Sequence, residues 1–157
     1  MSARPTVVPI HPEADEALAR SLLAVQHAAY AVEAALIGDD RIPPLHETLA
    51  DLRAAPLRWL AAGLGEQLAG AIAWTEDAEV VDIERLVVDP AAHRRGVGRA
   101  LVGAVLERAG GRRVIVATGR DNQPARTLYE SFGFTPTGDQ EVIEGLWVTR
   151  YTLTGRR

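Results

Sequence analysis

The stretch 83–105 constrains the fold more than any other part of the sequence. A run rich in β-branched residues ends at Asp89 and Pro90, a basic turn with two glycines follows, and apolar side chains then recur at four-residue steps. This pattern predicts a strand, a turn and a helix in direct succession. Gly96 and Gly98 let the backbone approach a ligand closely, and the first N–H groups of the helix have no intrahelical partners. We expect a phosphate group to bind there, because the helix dipole is positive at that end.

Arginines surround this turn and add mobile positive charge to the fixed backbone amides. Arg94, Arg95 and Arg99 are suited to a pyrophosphate. Two common phosphate-binding loops do not match. The dinucleotide fingerprint needs a third small residue where Leu101 stands, and the P-loop needs a lysine, which the chain lacks entirely.

Composition excludes several kinds of chemistry. The 157 residues are 47% hydrophobic and 24% charged, which is typical of one globular domain. The absence of cysteine excludes disulfides, thiolate zinc sites and a cysteine nucleophile, and the absence of lysine excludes a side-chain Schiff base. The formal net charge of -4 argues against a broad nucleic-acid surface. We expect no metal site.

Hydropathy predicts neither a membrane span nor a secretory signal. No apolar run approaches the ~20 residues that a span needs, and the residues after Met1 lead to no signal-peptide core. We therefore expect a cytoplasmic protein with no membrane partner.

Periodicity predicts an α/β chain with a mixed sheet. We expect strands over 6–10, 57–62, 67–74, 79–88, 114–117, 134–137 and 146–153, and helices ending at Gly38, before Pro56, at Ala109 and at Gly133. The apolar run 114–117 predicts a strand covered on both faces and parallel to 79–88 across a helical crossover. Two-residue alternation in 79–88 predicts two faces: Asp82, Glu84, Leu86 and Val88 on one, and Val81, Ile83, Arg85 and Val87 on the other.

Two segments resemble the signatures of the GNAT acetyltransferases. Residues 83–101 resemble motif A, a strand followed by V-x-P and Q/R-x-x-G-x-G/A leading into a helix. His93 stands where the family prefers Gln or Arg, but both glycines are present. Residues 122–134 resemble the second signature, N-x-x-A-x-x-L-Y-x-x-x-G-F. The resemblance covers about 57–137 well and the rest by order of elements only.

The resemblance implies a fold and a cofactor. The fold is a single GNAT domain over 1–157, α/β (α+β), with a mixed central sheet of six to seven strands, about four flanking helices and a splay between the fourth and fifth strands. The cofactor is acetyl-CoA. Its pantetheine amides would pair with backbone groups near Leu86 and Val88. The implied cofactor-binding residues are Leu86, Val87, Val88, Arg94, Arg95, Gly96, Val97, Gly98, Arg99, Ala100, Asn122 and Tyr129.

The implied reaction needs two proton transfers. An alkyl amine has a pKa near ~10.4, so a base must remove a proton at neutral pH. Glu84, or else Asp82, lies on the strand at the splay and is the predicted base; a salt bridge to an arginine is the alternative role. Tyr129 occupies the family's position for the donor to the departing thiolate. It also lies in an apolar stripe, so a role in the core stays open.

The acceptor is less constrained than the cofactor. In the family the first helix pair forms one wall of the acceptor site, which makes His27, Tyr30, Glu33 and His46 candidate contacts, with packing or surface roles as alternatives. The predicted function is an N-acetyltransferase acting by direct attack in a ternary complex on an amine-bearing acceptor. A non-catalytic acyl-CoA-binding regulator and a nucleotide-binding module are the other hypotheses. A homodimer is left open.

Overall fold

A computed structural model describes residues 4–155, and they form one seven-stranded sheet with helices on both faces. Residues 1–3, where the absence of a signal-peptide core was predicted, and residues 156–157 of the predicted domain lie outside this range. The strands are β1 (Thr6–Ile10), β2 (Arg58–Leu64), β3 (Gln67–Glu76), β4 (Val80–Val88), β5 (Arg113–Gly119), β6 (Thr135–Ile143) and β7 (Leu146–Leu153). The helices are α1 (Glu16–Ile37), α2 (Leu49–Ala54), α3 (Val97–Ala109) and α4 (Gln123–Ser131).

The sheet has the order β1-β2-β3-β4-β5-β7-β6. Only the β4–β5 pair is parallel; the other neighbours are antiparallel. Helix α3 makes the crossover between β4 and β5, which a parallel pair requires. The predicted mixed α/β fold is confirmed, with seven strands and four helices.

Local sequence signals define the first two helices. The Asp15 carboxylate accepts a hydrogen bond from the Leu18 N–H at 3.0 Å, and α1 ends at Gly38 with a φ of 69°. Thr48 and Asp51 form a reciprocal capping box at the start of α2. Helix α2 begins after Thr48 because the Thr48 side chain caps its first turn. The preceding Pro43–His46 forms a separate 3-10 turn.

Strand β4 contains a bulge at Glu84. Ala73 of β3 pairs with Arg85 and Trp74 pairs with Ile83, so Glu84 has no residue opposite it. An extra residue on one strand reverses the side-chain alternation beyond it.

The predicted two faces of β4 are therefore wrong beyond the bulge. Val81 and Ile83 pack in the core under α3, but Val87 packs in the core under α1. Leu86 and Val88 instead pack against the α3 core. Periodicity alone does not report a bulge, because the inserted residue leaves the local composition unchanged.

The predicted splay between β4 and β5 is confirmed. Their pairing runs from Val80 and Arg113 to Ile83 and Val116 and stops there, although β4 continues for five residues and β5 for three. The gap opens at the carboxyl ends of both strands. Since β4 leads into α3, the start of α3 lies at that same end.

Candidate active site

The turn before α3 presents backbone amides that no side chain caps. Gly96 is the N-cap residue, with a φ of 78°, and no described side chain accepts a hydrogen bond from the first turn. The Asp89 carboxylate accepts from the Ala91 N–H instead. Arg94 also has a positive φ of 64°, so the turn holds two left-handed residues close together. The geometry fits an anion at the helix N-terminus.

Close backbone packing fixes the start of α3. A side chain at Gly70 of β3 would place its Cβ 2.6 Å from the Val87 carbonyl oxygen and 2.8 Å from Val97 Cγ1. Only glycine allows this approach. On the other side, a Cβ at Gly98 would lie 3.3 Å from Leu128 Cδ2 of α4. The first turn of α3 is thus held between the sheet and α4.

The three arginines predicted around this turn differ in their surroundings. Arg94 and Arg95 are exposed and make no ion pair within residues 4–155. Arg99 is held along α4, because it donates to Ser131 Oγ at 3.1 Å and lies 5.2 Å above the Phe132 ring. Two mobile cations and one anchored cation therefore surround the amides.

A cavity of about 230 Å³ lies in the gap between β4 and β5. Glu84, Leu86, Asn122 and Tyr129, all predicted site residues, line it. Val87 and Val97 do not: their side chains are buried in the two cores, so they offer a ligand only backbone groups. The predicted site is therefore divided into two parts, the turn at residues 93–99 with its uncapped amides and the cavity.

Tyr129 belongs to the apolar core and also lines the cavity, as its two predicted roles require. Its ring is 3% exposed and packs edge-on against Phe134, with 5.5 Å between centroids. No hydrogen bond to its hydroxyl is found within residues 4–155, and no buried side-chain N or O there lacks a partner. The hydroxyl must therefore reach the cavity. Burial and the nearby Glu33 raise the pKa of Tyr129, which keeps it protonated.

Asp82 and Glu84 form an acidic pair beside the gap. Burial, the charge of Glu84 and a hydrogen bond to Glu84 raise the pKa of Asp82 to about 6, and Arg150 opposes the rise. The Thr75 hydroxyl donates to Glu84 Oε1 at 3.4 Å. The alternative role of Glu84, a salt bridge to an arginine, is not found among the described residues. The pair has the environment expected of a proton acceptor.

Glu33 of α1 also lines the cavity. Burial raises the pKa of Glu33, while hydrogen bonds from the Asn122 side chain and the Gly119 backbone oppose the rise. Asn122 also caps α4, since its Oδ1 accepts from the Ala125 N–H at 3.2 Å. One residue of the second signature thus connects α4 to α1.

A polar network that the sequence did not reveal fixes the chain between α1 and α2. The Arg85 guanidinium donates to Glu47 Oε2 at 2.9 Å and to Gln26 Oε1 at 3.1 Å. Gln26, fully buried, donates to the Pro44 carbonyl at 2.9 Å. The available signal was a glutamine inside the apolar stripe of α1.

The four candidate acceptor contacts separate into two pairs. Tyr30 and Glu33 line the cavity. The His27 Nε2 lies 2.8 Å from the Glu47 carbonyl and the His46 Nε2 lies 2.7 Å from the Asp40 carbonyl. Both histidines thus contact the backbone of the α1–α2 connection and not the cavity.

Comparison with known proteins identifies the fold family. The model of the acetyltransferase (GNAT) family matches residues 24–134, which include the turn before α3 and Tyr129. The chain belongs to the GNAT acetyltransferase family. This GNAT chain is 34% identical over 141 residues to UPF0157 protein YqkA of Bacillus subtilis (strain 168), covering 89% of the chain and 41% of that protein.

One further relative and one solved structure are similar to the GNAT chain. Mycothiol acetyltransferase of Clavibacter sepedonicus is 37% identical over 132 residues, covering 82% of the chain and 40% of that protein. The chain thus spans about two fifths of the length of these curated relatives. The structure of yncA from Salmonella typhimurium, solved with its cofactor acetyl-CoA, has a TM-score of 0.71 at 19% identity, covering 99% of this chain and 96% of that one.

Other kinds of site are not found in the described part of the chain. Within residues 4–155, no helix combines the length and the apolar character that crossing a membrane requires. The same residues contain no group of three or more histidine and carboxylate side chains arranged to hold a metal ion.

Proposed function

We propose that this GNAT chain is an N-acetyltransferase that transfers the acetyl group of acetyl-CoA directly to an amine in a ternary complex. One observation carries the proposal: the gap between β4 and β5 has uncapped amides at one end and a cavity with carboxylates and a tyrosine hydroxyl at the other. Membership of the GNAT family supports it. The acetyl-CoA bound to yncA, which has the same fold, agrees with it.

The residues present fit acetyl-CoA. The amides of the first turn of α3, with Arg94 and Arg95, would hold the pyrophosphate. Backbone groups of β4 near Leu86 and Val88, beyond the last pairing with β5, would pair with the pantetheine amides as an added strand does. Acetyl-CoA supplies an acetyl group activated as a thioester, whose C–S bond breaks as the acceptor nitrogen bonds to the acetyl carbon.

The acidic pair is the proposed proton acceptor. At neutral pH only about one alkyl amine in a few thousand is unprotonated, so a base is needed. Glu84 takes the proton, directly or through water, and shares it with Asp82. Because the pKa of Asp82 is about 6, Asp82 is more basic than an ordinary carboxylate yet mostly ionised at pH 7.

Tyr129 is the proposed proton donor. Its hydroxyl faces the cavity and stays protonated, since burial raises its pKa. Packing of its ring against Phe134 fixes the direction of the hydroxyl. A fixed, protonated hydroxyl is what protonation of a departing thiolate requires.

Two measurements test the proposed function. Calorimetry with acetyl-CoA should show binding, and free thiol should appear only when a suitable amine is added. Binding without thiol release for any amine would favour the non-catalytic regulator. Protection of the fold by ATP or NAD, but not by CoA, would favour the nucleotide-binding module.

A further inference from the structure

Two tyrosines and a glutamate give part of the cavity wall hydrogen-bonding groups. Tyr30 is 8% exposed and Tyr129 is 3% exposed, and both line the cavity beside Glu33. No hydrogen bond to either tyrosine hydroxyl is found within residues 4–155, and neither hydroxyl is shut off from the cavity. Nearly buried polar groups normally have partners. Both hydroxyls can therefore hydrogen-bond to a polar group of a bound molecule.

Apolar side chains line another part of the cavity. They belong to two segments, the 3-10 turn after α1 with the residue before it, and the hairpin of β6 and β7. Their side chains are Ile42, Pro43, Pro44, Val142, Leu146 and Val148. Val142 is 46% exposed although it is aliphatic, so it too has surface left to bury. These side chains can contact the apolar body of a bound molecule.

The charges around the cavity select against an acid. Three charged side chains line it: Glu33, Glu84 and Arg85. The only cation is already paired, because the Arg85 guanidinium donates to both carboxylate oxygens of Glu47 and to Gln26. A carboxylate on the acceptor would meet two anions and no unpaired cation.

We propose that the acceptor is a primary amine on an uncharged, apolar body, and that Glu33 binds its ammonium group. This inference rests on the acetyltransfer proposed above and assigns the substrate class of the same cavity. Glu33 lines the cavity and makes no ion pair within residues 4–155, so its carboxylate is available to an ammonium group. Free amino acids are disfavoured, whereas amino acid amides, peptide N-termini and simple alkylamines are accepted.

A matched series of amines tests the charge selection. We would measure the affinities of leucinamide, 3-methylbutylamine and leucine for the CoA-loaded protein by calorimetry at about pH 6.5, where all three amines are cations. Leucine should bind ~100-fold more weakly than leucinamide, since like charges brought together are strongly unfavourable. Glycinamide, which lacks the isobutyl group, should bind ~10-fold more weakly than leucinamide. Equal binding of leucine and leucinamide would overturn the assignment, as would no binding of any amine.

Variants of Glu33 test its role as the ammonium site. Glu33→Gln should weaken leucinamide binding ~10-fold and also reduce its advantage over leucine, because one of the two anions is removed. A purely structural role would change both affinities alike, and that result would reject Glu33 as the site. Glu107→Gln is the matched control, since Glu107 is exposed on α3 and makes no ion pair within residues 4–155.

Two further measurements distinguish failure of the acceptor assignment from failure of the proposed function, and a peptide acceptor from a small amine. If acetyl-CoA binds and leucine is acetylated as fast as leucinamide, the acceptor class is wrong but the acetyltransferase stands. If acetyl-CoA does not bind, the proposed function itself fails, and the assignment that rests on it fails too. A tripeptide amide that begins with leucine mimics a peptide N-terminus. If it binds as well as leucinamide, the acceptor is a peptide N-terminus. If only leucinamide and 3-methylbutylamine bind, the acceptor is a small free amine.

Discussion

The turn before α3 and the cavity between β4 and β5 are built in different ways. The turn, residues 93–99, is formed by consecutive residues, and its main donors are backbone amides. The cavity is formed by side chains from α1, the 3-10 turn after it, β4, β5, α4 and the β6–β7 hairpin. A site made of backbone amides tolerates most substitutions. The exceptions are those that add bulk or negative charge where the ligand approaches the backbone. A side-chain site depends on partners that are distant in sequence.

The largest expected effect comes from charge at the backbone site. Gly98→Glu should lower the affinity for acetyl-CoA by ~10³-fold or more, because it places a carboxylate where the pyrophosphate would bind. Gly103→Glu is the control: it lies on the same helix, and a Cβ there has no other atom within 4 Å. Calorimetry measures both affinities, and melting temperatures show whether contact with Leu128 destabilises the first variant. Unchanged affinity in a folded Gly98→Glu protein would place the cofactor elsewhere.

Tyr129→Phe should lower kcat by one to three orders of magnitude, on the order of a general-acid contribution. The melting temperature and acetyl-CoA affinity should stay near normal, since the hydroxyl has no partner to lose within residues 4–155.

Tyr151→Phe is the matched control, because it should lower stability and leave turnover unchanged. Its hydroxyl donates to Glu130 at 2.6 Å and accepts from Arg126 at 3.0 Å. Loss of these bonds should cost about 1–3 kcal/mol in the free energy of unfolding and leave kcat nearly unchanged. A normal kcat in Tyr129→Phe would mean that Tyr129 has only a packing role in the core.

Glu84→Gln tests the base through the pH–rate profile. Turnover should fall ~10- to 100-fold at pH 7 and recover at a pH where the acceptor amine is already neutral, because the base is then redundant. Steady-state rates from about pH 6 to 10 measure the profile. An equal loss at every pH would make Glu84 a positioning residue.

Glu47→Gln disrupts the support of the cavity and leaves the turn intact. The Arg85 and Glu47 side chains are 12% and 14% exposed, so removal of one charge should cost about 2 kcal/mol in the free energy of unfolding. The acceptor KM should rise while the acetyl-CoA affinity stays the same. Glu16→Gln is the comparison: Glu16 is in two surface ion pairs, with Arg20 and Arg53, and its replacement should cost less than about 0.5 kcal/mol. A parallel loss of acetyl-CoA binding would show that the two sites are not independent.

Asp82→Asn should have a small effect, and it should be stabilising. The pKa of Asp82 is about 6, above its ordinary 3.8, so the folded protein binds more protons than the unfolded chain between these values. The contribution of Asp82 to stability therefore falls as the pH rises through this window. After a discount for its partial exposure, Asp82→Asn should raise the free energy of unfolding by ~1 kcal/mol at pH 7 and by nothing at pH 3.5. Urea denaturation at both pH values measures this, and equal effects at both would contradict the raised pKa.

The sequence alone determined the order of the elements and the glycine turn before α3. Capping residues, glycines and β-branched runs act within a few residues of their own position, so the helix ends at Gly38 and Ala109 and the turn at Gly96 were predictable. Both signatures also lie in continuous segments, which is why the family and its splayed sheet were recognised from the residues.

Only the tertiary structure decided how side chains meet. The bulge at Glu84 changed which residues of β4 face each core, because the register between strands depends on both partners. The pairing of Arg85 with Glu47 and the hydrogen bond from Asn122 to Glu33 join residues far apart in the chain. No local pattern records such contacts, since they arise from the packing of α1 and its following turn over the sheet. The backbone turn was therefore readable in the sequence, whereas the chemistry of the cavity required the fold.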